Sequence, residues 1–117
     1  MNKNKFVEFW LPVYLYAAII FMLSSMPQIP IPFAFKFSDK IEHIIEYAIF
    51  GYLLIRAFRN SSFKLTLAQM RFLIILIGFI YGITDEIHQY FVPGRATSTL
   101  DIFADGAGVV LGQFFSR

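Results

Sequence analysis

Four long apolar runs, at about 6–25, 41–58, 67–89 and 100–115, constrain this chain more than any other feature of it. Crossing roughly 30 Å of hydrocarbon takes about 20 residues of helix. The first three runs reach or approach that length, while the fourth is short and either tilts little or stops partway. Lipid offers no partner to a backbone N–H or C=O, so continuous apolar runs without period-2 alternation fit helices rather than barrel strands. Composition agrees, because 57% hydrophobic and 15% charged residues would leave a soluble chain of 117 residues with too much apolar surface to cover. The expected fold is all-α, an integral membrane four-helix bundle. It forms one domain over 1–117, with helices over about 6–25, 39–58, 67–91 and 98–115.

The first run follows Lys3 and Lys5 as a signal peptide would, but Pro27 follows it and no small-x-small cleavage site is evident, so it reads as an uncleaved helix. With no cysteine in the chain, disulfides, thiolate metal sites and cysteine nucleophiles are excluded. A net charge of +2, spread along the chain, does not suggest nucleic acid. Of the ten Lys and Arg, seven (Lys3, Lys5, Arg56, Arg59, Lys64, Arg71, Arg117) fall at one set of segment ends and three (Lys36, Lys40, Arg95) at the other. Both termini are therefore expected in the cytoplasm, with the Pro-rich first loop and the third loop outside.

Seven of the eight carboxylates (Asp39, Glu42, Glu46, Asp85, Glu86, Asp101, Asp105) lie at the outward ends of these runs. At about 100° per residue, Asp39, His43, Glu46 and Phe50 share a narrow stripe of the second helix, with Glu42 and Tyr47 on its flanks. Gly78, Gly82, Asp85 and Gln89 align on the third helix, with Glu86 and His88 to either side. Asp101, Asp105, Gly108 and Gly112 do so on the fourth. Gly78-x-x-x-Gly82 and Gly108-x-x-x-Gly112 are small-xxx-small patterns, and the third and fourth helices are expected to pack there. Ser38-Asp39 and Ser98-x-x-Asp101 also read as helix caps with acids in the first turn.

Asp39-Lys40-x-x-His43-x-x-x-Tyr47, Asp85-Glu86-x-x-Gln89-x-Phe91-x-Pro93-x-Arg95 and Asp101-x-x-x-Asp105-x-x-Gly108-x-x-x-Gly112 together resemble the VanZ-like family of small bacterial membrane proteins. Ser24-Ser25-x-Pro27 is similar to that family's opening signature, and the likeness covers most of 21–112. Asp105 stands where many members carry Asn, which adds a charge. The resemblance implies a bacterial cell-envelope protein of the cytoplasmic membrane, whose namesake is associated with resistance to the glycopeptide teicoplanin. It implies no particular reaction.

Ionisable groups in membrane segments are costly and are candidates for function. His43 can titrate near neutral pH, bind a metal or take a proton. With Asp85, Glu86 and Asp105 it forms the candidate catalytic set. Asp39, Tyr47, Gln89, Arg95 and Asp101 are the candidate substrate contacts, Arg95 as a bidentate phosphate clamp. A divalent metal is a further possibility, with His43, Glu46 and Asp85 as ligands.

Three functions compete. The first is an enzyme or binding protein for an anionic membrane lipid or lipid-linked cell-wall headgroup. The second is a small transporter or proton-coupled permease, which at this size needs to form a homo-oligomer. The third is a structural accessory protein. Clustering of the polar groups at one face favours the first over the second, because the other halves of the helices are apolar.

Overall fold

The computed structural model describes residues 3–26, 38–94 and 98–116. It is all-helical: α1 (Lys3–Phe9), α2 (Leu11–Ser24), α3 (Ser38–Arg59), α4 (Leu67–Tyr90) and α5 (Thr99–Gln113). The first two form one rod over Lys3–Ser24, so the bundle has the four helices that the apolar runs predict. The junction between them is Trp10, just ahead of Pro12, whose missing N–H is tolerated only in a helix's first turn.

Two rods, Lys3–Ser24 and α4, are long and apolar enough to cross a membrane. At 22 residues α3 is long enough, but Asp39, Lys40, Glu42, Glu46, Arg56 and Arg59 lower its hydropathy. At 15 residues α5 spans about 22 Å, short of the hydrocarbon core. The molecule measures 43 × 25 × 24 Å, and its long axis matches a bilayer with its headgroups.

Local chemistry sets several of the helix ends. Thr66 and Gln69 form a reciprocal capping box that starts α4. Ser98 starts α5 by accepting from the Leu100 N–H. The turn after α4 closes at Gly94, whose φ of 79° favours glycine. Trp10 donates to Ser61 Oγ at 2.7 Å and Arg59 to the Ser116 carbonyl at 3.2 Å, which fixes one end of an up-down-up-down bundle. The other end gathers the finish of α2 and α4 and the start of α3 and α5.

Packing differs from the expectation at the glycines. α3 and α5 form the closest helix pair, and Gly108 and Gly112 face α3, not α4. A Cβ at Gly108 would overlap the Ile44 carbonyl, and one at Gly112 the Ala48 carbonyl. Gly51, which has no small partner four residues away, completes the seam against the Val109 backbone. Gly78 and Gly82 do face α5, but they make room for the side chains of Val109 and Asp105. Away from the polar end the core is apolar, with Leu54, Ile55, Phe58, Ile74 and Val109 buried.

Candidate functional site

The first two turns of α3 lay out the site. Lys40, His43 and Tyr47 recur at helical spacing, and Tyr47 and Phe50 carry the buried face on into the core. The centre of the buried stripe is thus His43–Tyr47–Phe50, with Tyr47 inside rather than on its flank. Glu46 is only half-buried, its backbone carbonyl accepting from the Tyr16 hydroxyl at 2.7 Å. Glu42 is exposed.

His43 is 4% exposed and Asp105 is fully buried. With Asp105 ionised, the Nδ1–H of His43 donates to Asp105 Oδ1 at 2.7 Å, and Asp105 Oδ2 lies where a Gly82 side chain would otherwise sit. Nε2 then points toward the end of the bundle where α3 and α5 begin, 3.8 Å from Asp101 Oδ2 and 4.0 Å from Asp39 Oδ1. Those separations are too long for direct hydrogen bonds and suit one intervening group. Lys40 spans the other oxygens of the same two acids, donating to Asp101 Oδ1 at 2.6 Å and Asp39 Oδ2 at 3.3 Å. Asp39 and Lys40 are partly exposed and form the outer rim.

Asp101 shows how a cap-like pattern can be diverted. Ser98 does cap α5, but the Asp101 carboxylate turns to Lys40 of α3. Lys40 itself was not among the residues singled out for the site from sequence. Its spacing of three before His43 on one helix face was the available signal.

On the α4 side, Tyr47 donates its hydroxyl to Asp85 Oδ2 at 3.1 Å, and Asp85 lines a cavity of about 170 Å³ with Phe21, Tyr81, Thr84 and His88. Gln89 is buried, with its Oε1 lacking a hydrogen-bond partner among the described residues. Glu86 accepts from the backbone N–H of Ser98, joining the end of α4 to the start of α5. His88 has a role that its off-stripe position did not announce. Ser25 donates its hydroxyl proton to the Phe21 carbonyl at 2.8 Å, so His88 Nε2–H donates to Ser25 Oγ at 2.7 Å. The His88 ring also stacks on Phe21 at 4.4 Å and ties α2 to α4.

His43, Tyr47, Asp85, Asp101 and Asp105 therefore come together around α3, with Asp39 at the rim and Glu86 and Gln89 beside them. Arg95 lies outside the described residues. Among the described residues, the donor group close enough to share one cation is Asp39, His43 and Asp101, a set that includes neither Glu46 nor Asp85. The Nδ1 contact to Asp105 would orient His43 for such an ion. The Lys40 ammonium already supplies positive charge to both carboxylates, so a divalent ion would have to compete with it.

No curated protein and no solved structure matches the chain. A family model described as VanZ/LLP1 matches residues 6–117. With nearly the whole chain covered, this protein belongs to the VanZ/LLP1 family.

Proposed function

We propose that the chain is a multi-pass protein of the bacterial cytoplasmic membrane with both termini in the cytoplasm. Its outer-face polar site binds, and by acid–base chemistry acts on, the anionic headgroup of a membrane lipid or lipid-linked cell-wall precursor. Through that site it contributes to resistance to teicoplanin-type glycopeptides. The observation that carries this reading is the buried Asp105–His43 pair with Nε2 turned outward between Asp39 and Asp101. An imidazole oriented through Nδ1 by a carboxylate has its other nitrogen set to take or give a proton. Lys40 at the rim, and Arg95 from its place in the motif, supply cationic contacts for phosphate. The carboxylates supply acceptors for headgroup hydroxyls. A transport relay is disfavoured, because the described core beyond Tyr47 and Asp85 is apolar until Gln113.

One observation favours the accessory reading instead. His43–Asp105 and Lys40–Asp101 both join α3 to α5, the closest helix pair, as a network serving only to set register would. A teicoplanin-susceptibility assay in a host expressing variants separates the two readings, with membrane abundance and melting temperature measured on the same proteins. His43→Gln keeps an amide donor for Asp105 but cannot titrate, so it is expected to abolish the phenotype while folded protein persists. Arg95→Lys is expected to fail as well, because a point charge does not replace a bidentate guanidinium. Phenotype loss that tracks loss of folded protein at every position would leave the accessory role.

A further inference from the structure

Beside the acid–base site, α2 and α4 border the cavity of about 170 Å³ that Asp85 lines with Phe21, Tyr81, Thr84 and His88. Thr84 is exposed, so the cavity opens on the side of the bundle, about 9 Å along α4 from Tyr90. Every polar side chain in its wall has its proton directed elsewhere. The Tyr81 hydroxyl donates to the Ala17 carbonyl, and the Thr84 hydroxyl donates to the Tyr81 carbonyl at 2.7 Å. Neutral His88 donates its one ring proton, on Nε2, to Ser25, which leaves Nδ1 as an acceptor. Asp85 is 7% exposed; Tyr47 donates to its Oδ2, and no described residue donates to its Oδ1. These groups can only accept, so a ligand here has to be a donor.

Charge sets the class of donor. Among the described residues no Lys, Arg or His forms an ion pair with Asp85. Glu86, Asp101 and Asp105 add buried acids at the same end of the bundle, where Lys40 serves Asp39 and Asp101. A carboxylate buried with one phenol for a partner is costly, and a cation beside it offsets that cost. We propose that the cavity is a binding site for a primary ammonium group, carried by the headgroup of an aminated membrane lipid or by a small soluble amine. An N–H-bearing cation suits Asp85 Oδ1 and the acceptors around it, whereas a trimethylammonium has no N–H to give them. The rings of Phe21 and Tyr81 supply an aromatic wall of the kind that attracts ammonium and covers the adjoining carbons. At about 30 Å³ for each water-sized group the cavity holds about five, enough for an ethanolamine head. The site goes beyond the acid–base reading and does not depend on it. Asp85 is reached from the α2–α4 side, and His43 from the start of α3 and α5.

The test uses the full chain in detergent and follows melting by the fluorescence of its single tryptophan, Trp10, at the far end of the bundle. Ethanolammonium chloride is expected to raise the melting temperature saturably. Choline chloride at equal ionic strength should need about tenfold more, the effect of losing a hydrogen bond to a charged group, and sodium chloride should do no more than choline. Asp85→Asn removes the charge and Thr84→Trp blocks the mouth at an exposed position, and each should abolish the ethanolammonium shift. Thr84→Trp should do so with the ligand-free melt unchanged, which keeps the test decisive if Asp85→Asn folds poorly. Nanodiscs distinguish the source. If a lipid amine fills the cavity, replacing phosphatidylcholine by phosphatidylethanolamine should weaken the ethanolammonium shift, and an undiminished shift supports the soluble amine. Equal shifts with ethanolammonium, choline and sodium, or shifts that survive in both variants, would overturn the site. The shift should persist in His43→Gln, and its absence there would count against a site separate from His43.

Discussion

Tyr47 is fully buried, and its hydroxyl donates to Asp85 Oδ2. Tyr47→Phe keeps the ring and removes the donor, leaving a carboxylate oxygen in the core without it. The expected cost is about 1–3 kcal/mol, read as a lower melting temperature in detergent. An unchanged melt would mean that Asp85 is satisfied from its cavity side. Asp105 invites the opposite substitution. Its Oδ1 accepts from His43 while its Oδ2 has no hydrogen-bond partner among the described residues, and a neutral amide is less costly to bury than a carboxylate. Asp105→Asn is therefore expected to hold or raise the melting temperature, the amide oxygen still accepting from Nδ1–H. A fall of more than roughly 4 °C would show that the fold needs the charge.

At the scale of elements, the α3–α5 seam rests on backbone approach. Gly108 and Gly112 admit the Ile44 and Ala48 carbonyls of α3, and Gly51 admits Val109 of α5. Gly112→Ala forces rigid backbones apart and is expected to cost about 1–3 kcal/mol or more. Gly82→Ala should be milder, because its Cβ would meet the Asp105 side chain at 3.0 Å, not a main chain. Melting temperatures of the two variants give the order directly, and the reverse order would contradict the seam. The same separation of helices would pull His43 from Asp105, since the pair bridges α3 and α5.

Across the whole molecule, one end carries Asp39, Glu42, Asp85, Glu86, Asp101 and Asp105, and the other carries Arg56, Arg59 and the Trp10–Ser61 contact. The bias of Lys and Arg toward the second end predicts that it faces the cytoplasm. A cysteine at Gly94 is then expected to react with an impermeant reagent from outside intact cells, and one at Ser62 is not. Labelling at Ser62 alone would invert the orientation.

Helix number and type were legible in the sequence, because apolar runs and the demand for internally paired backbone leave few other solutions in lipid. The inward rows Gly78–Gly82–Asp85–Gln89 and Asp101–Asp105–Gly108–Gly112 were legible too, since helical periodicity by itself puts such residues on one face, and each of these is buried. Periodicity cannot say which helix a face meets. The glycine pattern of α5 is satisfied by any close backbone, and only the assembled bundle assigns it to α3 through the unpatterned Gly51. Tyr47 and Lys40 became site neighbours for the same reason. A residue on the edge of a stripe is drawn inward or left outside according to the partner opposite, and Asp85 and Asp101 are contributed by other helices.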